Sequence, residues 1–357
     1  MKGNMMMKQY LLPETGNLYK ACLHVHTTCS DGLATPEEIK KMYQGQGYSI
    51  VAYTDHEVLI PHNDLRDENF LPITGAELSV NKNLPGLSYR YSKQYHLNIL
   101  SKDPEKTDIS FFTMSYLYWK SSLPYITDAM KATEYPREYN NDCVNDMIRR
   151  AREEGFLMAL NHPGLSGQNY MDYAYLKGFW GVEVHNSGSV GLGRVETEQP
   201  LIDLLELGER VFPLATDDMH GAYDQKSIDA IGGWTMLKAP ALEYDAVMES
   251  LEKGDFYSST GPEIHALYLD GETLVVECSD VSMIRVNTER RFSRIQKAED
   301  EPLTRVCFDM HSYFEGSFEE NMLCEPYFRV TVQDKDGHRA WTRAYFLDEF
   351  DWINYKK

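Results

Sequence analysis

The chain has 357 residues, of which 42% are hydrophobic, and a formal net charge of −20 at pH 7. That length exceeds a common single domain and that hydrophobic content can build real cores, so a barrel-sized unit with something appended is expected. The charge argues against polymeric nucleic acid or an anionic membrane as partner, because both reward a basic surface, whereas a small anionic substrate stays compatible if bound cations reverse the potential locally.

The opening string Met1-Lys2-Gly3-Asn4-Met5-Met6-Met7-Lys8 lacks the apolar core of a signal peptide, and no stretch approaches bilayer-spanning length. Six cysteines, Cys22, Cys29, Cys143, Cys278, Cys307 and Cys324, are scattered without Cys-x-x-Cys spacing. Neither a zinc knuckle nor a disulfide framework is indicated, and a reducing cytoplasm is the expected compartment.

Taken in order, the elements begin with the apolar run Ala21-Cys22-Leu23, which ends in His24-Val25-His26. Alternate strand residues share a face, so the two imidazoles project together from the strand end and can converge on one metal ion. Thr35-Pro36-Glu37-Glu38-Ile39 carries an N-cap, a first-turn proline and early acids, the signature of a helix start. Ser49-Ile50-Val51-Ala52-Tyr53 then runs into Thr54-Asp55-His56, and Leu71-Pro72-Ile73-Thr74 into Gly75-Ala76-Glu77. His96 heads the β-prone His96-Leu97-Asn98-Ile99-Leu100.

Residues 102–140 form an insertion that includes Phe111-Phe112 and Tyr116-Leu117-Tyr118-Trp119. Placed after a strand that bears a candidate ligand, it is expected over the site as an aromatic lid able to stack a base or sugar, or else to form a subsidiary core or a dimer contact. Residues 141–155 read as a helix, with Val144, Met147, Ile148 and Ala151 at helical spacing and Gly155 as a stop. Phe156-Leu157-Met158-Ala159-Leu160 ends in Asn161-His162-Pro163, Val182-Glu183-Val184-His185-Asn186 follows, and residues 201–208 read as another helix. The strand Val211-Phe212-Pro213-Leu214-Ala215-Thr216 delivers Asp217-Asp218-Met219-His220, and residues 241–253 are helix-like.

Alternation of strands and helices predicts an α/β fold with a parallel sheet or barrel, whose functional groups collect at the carboxyl ends of the strands. From Ser258 onward short alternating segments, separated by Asp270-Gly271 and Asp336-Gly337 turns, predict a small immunoglobulin-like β-sandwich over residues 263–357, with the barrel in 1–262.

The ordered set His24-x-His26, Ser30-Asp31-Gly32, Thr54-Asp55-His56, Gly75-Ala76-Glu77, His96, Asn161-His162-Pro163 and Asp218-x-His220 resembles the motifs of the PHP (polymerase and histidinol phosphatase) family of metal-dependent phosphoesterases, over roughly residues 18 to 262. The resemblance implies a distorted seven-stranded (βα) barrel, TIM-like, with three divalent ions at its mouth. Carried over, His24, His26, Glu77 and Asp218 surround one ion, Glu77 bridges to a second held by His96 and His162, and Asp31, His56 and His220 hold the third. Imidazoles and carboxylates together suit zinc, manganese or iron. The resemblance places a serine-like residue where Asp217 stands, so either Asp217 or Asp218 is the ligand, with Asp218 preferred for its Asp-x-His spacing to His220.

The chemistry so implied is hydrolysis of a phosphate ester on a small phosphorylated metabolite or nucleotide by a metal-bridging hydroxide, with Glu77 and His220 as catalytic residues and either His220 or a metal-bound water protonating the leaving group. Arg194 and Lys226 are candidate phosphate contacts, although each also reads as a solvated surface charge. Glu183 is a candidate to orient a ligand histidine, His185 a wall residue, and His62, His265, His311 and His338 have no partner at ligand spacing. Two other functions fit the motifs less well: an amidohydrolase, which also opens with His-x-His, and a metal-loaded structural module without activity. A homo-oligomer is compatible with all three.

Overall fold

The computed structural model describes residues 8–83, 92–221, 228–289, 291–318, 322–353 and 355. A short strand, β1 (Gln9–Tyr10), precedes β2 (Asn17–Val25), α1 (Pro36–Gln44), β3 (Tyr48–Tyr53), β4 (Leu71–Asn81) and β5 (Gln94–Ser101). The chain continues through α2 (Asp128–Ala132), α3 (Asn141–Glu153), β6 (Phe156–Leu160), α4 (Tyr170–Tyr173), β7 (Gly181–Asn186), α5 (Ser187–Gly191), α6 (Gln199–Glu206) and β8 (Phe212–Thr216).

Local chemistry sets the helix ends. Thr35 caps α1 through a reciprocal pair of hydrogen bonds with Glu38, and Asn140 caps α3 by accepting from the Cys143 amide. Val144, Met147, Ile148 and Ala151 form the buried stripe of α3 against the barrel.

Strands β2 to β8 form one curved sheet in sequence order. Pairs β2/β3, β3/β4, β6/β7 and β7/β8 are parallel, but β5 runs antiparallel to both β4 and β6. The expectation that ligands sit at carboxyl ends therefore fails at β5. Reversal of this strand brings its amino end, with His96, to the rim where its neighbours end. A parallel bridge between Val25 and Met219 closes the ring, supported by Asp218 N donating to His24 O at 3.0 Å and His26 N to Met219 O at 2.9 Å.

Strand β9 (Trp234–Ala239) pairs with the amino half of β2, α7 (Tyr244–Lys253) packs on it, and β10 (Phe256–Ser259) lies beyond. The β-rich remainder comprises β11 (Ile264–Asp270), β12 (Thr273–Val281), β13 (Met283–Thr288), β14 (Ser293–Lys297), β15 (Leu303–Asp309), α8 (His311–Phe314), β16 (Tyr327–Gln333), β17 (Arg339–Thr342) and β18 (Tyr345–Phe346). One of its sheets, β14-β13-β16-β17, continues into the barrel sheet through β10, and the other is β1-β11-β12-β15. Leu267, Leu274, Val276, Ile284, Val330 and Val332 fill the space between them.

Two features escaped the sequence. Strand β1 belongs to the sandwich sheet by pairing with β11, a partner more than 250 residues away in the chain. The edge strand β14 is mostly exposed, so it lacks the apolar alternation that marks half-buried strands. Within the insertion, Phe111, Phe112, Ile126 and Met130 are buried in the barrel's own core cluster, while Tyr118 and Trp119 face the mouth. It is thus both subsidiary core and cover. Among the described residues, no helix is long and apolar enough to cross a membrane.

Candidate metal centre

All nine residues expected as ligands converge at one end of the barrel. One donor atom from each of His24, His26, Glu77 and Asp218 lies within 4.8 Å of the others. Glu77, His96 and His162 form a second such group, and His26, Asp31, His56 and His220 a third. Glu77 and His26 each belong to two groups, so the three are contiguous. Glu77 Oε1 lies 3.2 Å from both His96 Nδ1 and His162 Nε2, and its Oε2 lies 3.3 Å from both His26 Nε2 and His56 Nδ1. Asp218 Oδ1 lies 3.1 Å from His24 Nε2 and 3.2 Å from His26 Nε2.

The backbone is bent to achieve this. Non-glycine residues with positive φ among the described residues are Glu57, His162, Asp218 and Ile231. Two are candidate ligands and a third follows His56, in keeping with strain of about 1–3 kcal/mol per residue collecting at functional sites. The turn carrying Asp31 needs Gly32, because a Cβ there would meet the His26 carbonyl oxygen at 2.4 Å.

Between the two aspartates the geometry is unambiguous. Asp217 turns away from the imidazoles and accepts from Tyr43 Oη (2.9 Å), Ser187 Oγ (2.7 Å) and the amides of Ile231, Gly232 and Gly233 (2.8, 2.9 and 3.0 Å). Asp218 faces the histidines, and its Oδ1 is buried without a hydrogen-bond partner.

Glu183 anchors the floor. It accepts from His24 Nδ1 at 2.8 Å, from the His162 amide at 2.8 Å, from Asn186 Nδ2 at 2.9 Å and from Thr216 Oγ1 at 2.7 Å. His24 must donate from Nδ1 to a carboxylate, which leaves the Nε2 lone pair for the centre. Likewise His220 Nδ1 donates to the Asp218 carbonyl at 2.9 Å and presents Nε2 toward Asp31.

Burial opposes charge throughout the centre, but the grouping of opposite charges overcomes it. The carboxylates of Asp218, Glu77 and Glu183 lift His24 well above its ordinary range despite its burial. His26 rises to about 10 and His162 to about 9 for the same reason. Glu77 and Asp218 are held well below the usual carboxylate range against their burial, chiefly by His96 and His24 respectively. His56 goes the other way: burial and the neighbouring His26 push it well down.

Divalent cations fit this donor set. His26 Nδ1, His56 Nδ1 and Asp218 Oδ1 are buried with no hydrogen-bond partner, a cost of about 1–3 kcal/mol per atom that coordination would remove. His24 Nε2 and His26 Nε2 also face each other at 3.2 Å.

The centre opens into a cleft of about 410 Å³ lined by Asn81, Gln94, Tyr118, Trp119, Leu165 and Leu192 besides the donors. The Trp119 ring stacks on His56 with centroids 4.6 Å apart and planes at 8°. A larger depression of about 840 Å³ on the barrel's outside, against Ile148, Phe156 and Trp180, holds none of the nine. Arg194 is exposed after α5 and does not line the cleft, because the turn 191–193 carries it outward; Lys226 lies outside the described residues.

A family model described as PHP domain matches residues 23–168. The matched span runs from β2 to the loop ahead of α4. It supplies seven of the nine donors, His24 to His162, while Asp218 and His220 come from beyond the matched span and complete the centre. Among solved structures, the chain is similar to a two-domain protein of Bacteroides vulgatus ATCC 8482 containing a predicted PHP-like metal-dependent phosphoesterase (14% identity, 96% of this chain and 100% of that one, TM-score 0.43). It is also similar to a candidate metal-dependent phosphoesterase of Bifidobacterium adolescentis ATCC 15703 (16%, 67% and 96%, TM-score 0.40) and to an amidohydrolase of Chromobacterium violaceum with bound sulfate and no metal (16%, 66% and 96%, TM-score 0.40). No curated protein sequence matches the chain.

Sequence reasoning missed several groups around the centre. Asn161 Nδ2 donates to Glu77 Oε1 at 2.7 Å; its only signal was adjacency to His162. Arg137 of the insertion is buried and donates to Glu57 Oε1 at 2.8 Å, to the Ser79 carbonyl at 3.0 Å and to the Phe111 carbonyl at 3.2 Å. His185 contacts Ser187 Oγ at 3.3 Å, away from the mouth. His265, His311 and His338 are exposed or nearly so, each beside a surface carboxylate. His62 differs from them: it is buried, because the segment after β3 folds inward onto Tyr53.

Proposed function

We propose that the protein hydrolyses a phosphate ester on a small molecule, with three divalent ions of the zinc, manganese or iron type held by His24, His26, Asp31, His56, Glu77, His96, His162, Asp218 and His220. The observation that carries this reading is the convergence of three overlapping donor groups sharing Glu77 and His26. When bound, such ions supply a hydroxide near neutral pH and neutralise charge developing on phosphoryl oxygens.

The chain's own residues have separate tasks. Glu183 fixes the tautomer and direction of His24 and the backbone position of His162. Glu77, itself held by Asn161, joins the groups. His220 has the most exposed imidazole of the centre, with 36% of its side chain accessible, and, with its ring nitrogens turned to Asp31 and the Asp218 carbonyl, would hold its ion at the open edge of the cleft. Trp119 and Tyr118 offer aromatic faces to the rest of the ester and help to exclude water.

The test is turnover of p-nitrophenyl phosphate by metal-loaded protein and by Glu77→Gln, alongside simple amides and lactones. Phosphatase activity lost in the variant supports the proposal. Turnover that survives Glu77→Gln with metal content intact, or activity confined to amides or lactones, overturns it.

A further inference from the structure

Beside the nine-residue centre, and sharing none of its donors, Cys29, Asp55 and His62 make a separate group in which one ligand atom from each residue lies within 4.8 Å of the others. None is more than 9% exposed. Cys29 lies in the turn after β2, Asp55 just beyond β3, and His62 ahead of the 3-10 turn Asn63–Leu65.

Asp55 and His62 each keep acceptor capacity for a cation. Asp55 accepts from the Thr27 amide (2.9 Å), Thr27 Oγ1 (2.8 Å) and Ser30 Oγ (2.6 Å), three donors against the roughly four acceptor positions of a carboxylate. The His62 ring rests against Tyr53 with centroids 4.6 Å apart, and its Nε2 is buried without a hydrogen-bond partner. Burial pushes His62 below its ordinary range, so the imidazole is neutral and keeps a lone pair. The Cys29 thiol donates weakly to the Tyr125 hydroxyl at 3.4 Å.

We propose that Cys29, Asp55 and His62 bind a further divalent ion of the zinc type, with the Tyr125 hydroxyl or a water in the fourth position, independent of the phosphoesterase centre. A soft thiolate with an imidazole and one carboxylate selects zinc over calcium or magnesium. Binding replaces the Cys29 S–H bond by a sulfur–metal bond and releases the proton to solvent; thiolate and Asp55 together neutralise the ion's two charges. Zinc bonds of about 2.0–2.3 Å ask the donors to close by on the order of an ångström. The insertion already docks on this turn, through Ser122 Oγ to the Cys29 carbonyl and Ser121 Oγ to the Ser30 carbonyl, both at 2.9 Å. The ion would tie that turn, next to Asp31, to the segments carrying Asp55 and His62.

Cobalt(II) reports the site, because none of the nine donors of the main centre is a thiol. Full-length protein stripped with chelator and reloaded with cobalt should show thiolate-to-cobalt charge-transfer absorption in the near ultraviolet. The absorption should vanish in Cys29→Ser and in His62→Gln, with one metal equivalent fewer bound, and persist in Cys307→Ser, which removes an exposed thiol. Absence of the band in saturated wild-type protein overturns the proposal, as does a band that survives Cys29→Ser. Should Cys29→Ser fail to fold, an undiminished band in His62→Gln is equally decisive against it. Phosphatase turnover plays no part in the readout, so failure here is distinct from failure of the phosphoesterase proposal.

Discussion

Glu183 and His24 are joined by a 2.8 Å hydrogen bond in which neither side chain is more than 1% exposed. The carboxylate thereby fixes which imidazole nitrogen faces the centre. Replacing it by the isosteric amide should leave the barrel folded but let the ring choose the wrong tautomer. Glu183→Gln is expected to weaken metal binding about 10–100-fold, measured by competition with a chromophoric chelator. Unchanged affinity would remove Glu183 from the site.

The two adjacent aspartates separate metal retention from stability. Asp218→Asn should lose metal equivalents, because its carboxylate faces His24 and His26. Asp217→Asn should keep them and lower the unfolding midpoint, because its oxygens serve Tyr43, Ser187 and three backbone amides. Metal analysis and denaturant titration of the pair check this, and the reverse pattern would contradict the assignment.

Arg137 should matter to folding out of proportion to its place in an insertion. Its guanidinium is buried against Glu57, whose φ is 67°. Arg137→Met leaves that carboxylate buried and uncompensated, so a loss of about 3–5 kcal/mol is expected in equilibrium unfolding. Arg149→Ala, which breaks exposed pairs on α3, should cost no more than about 1 kcal/mol.

Chelated protein should respond to pH in the sense set by its histidines. The Glu77 and Asp218 carboxylates push His26 up to about 10 and His162 up to about 9 against their burial, above the ordinary 6.5. A raised value stabilises the fold fully below about 6.5, and the contribution is lost as pH rises through 9 to 10. Metal requires those same nitrogens deprotonated, so the stabilisation conferred by added zinc should grow as pH rises from 6 to 8. Melting temperatures with and without metal at pH 6, 8 and 10 test both halves.

Trp119 should select the organic part of the ester. It lines the cleft, with one face of its ring against His56. Trp119→Ala is expected to raise KM for an aryl phosphate about fivefold, the equivalent of about 1 kcal/mol of stacking, with little change for glycerol phosphate. Equal effects on both substrates would count against a stacking role.

Much of this was legible before folding, because strand periodicity and strand ends are local properties. His24-Val25-His26, Thr54-Asp55-His56 and Asp218-Met219-His220 announced themselves as donors, and Thr35 to Ile39 as a helix start. What stayed hidden depended on partners distant in the chain. The reversal of β5, the pairing of β1 with β11, the outward turn of Asp217 onto the amides of Ile231 to Gly233, and the burial of His62 beside Cys29 and Asp55 are decided by which segments meet. The amino-acid order by itself therefore determined the donor types and the alternating α/β plan. Only the closed barrel decided which oxygens and nitrogens face one another, because desolvation and charge pairing act through space and not along the chain.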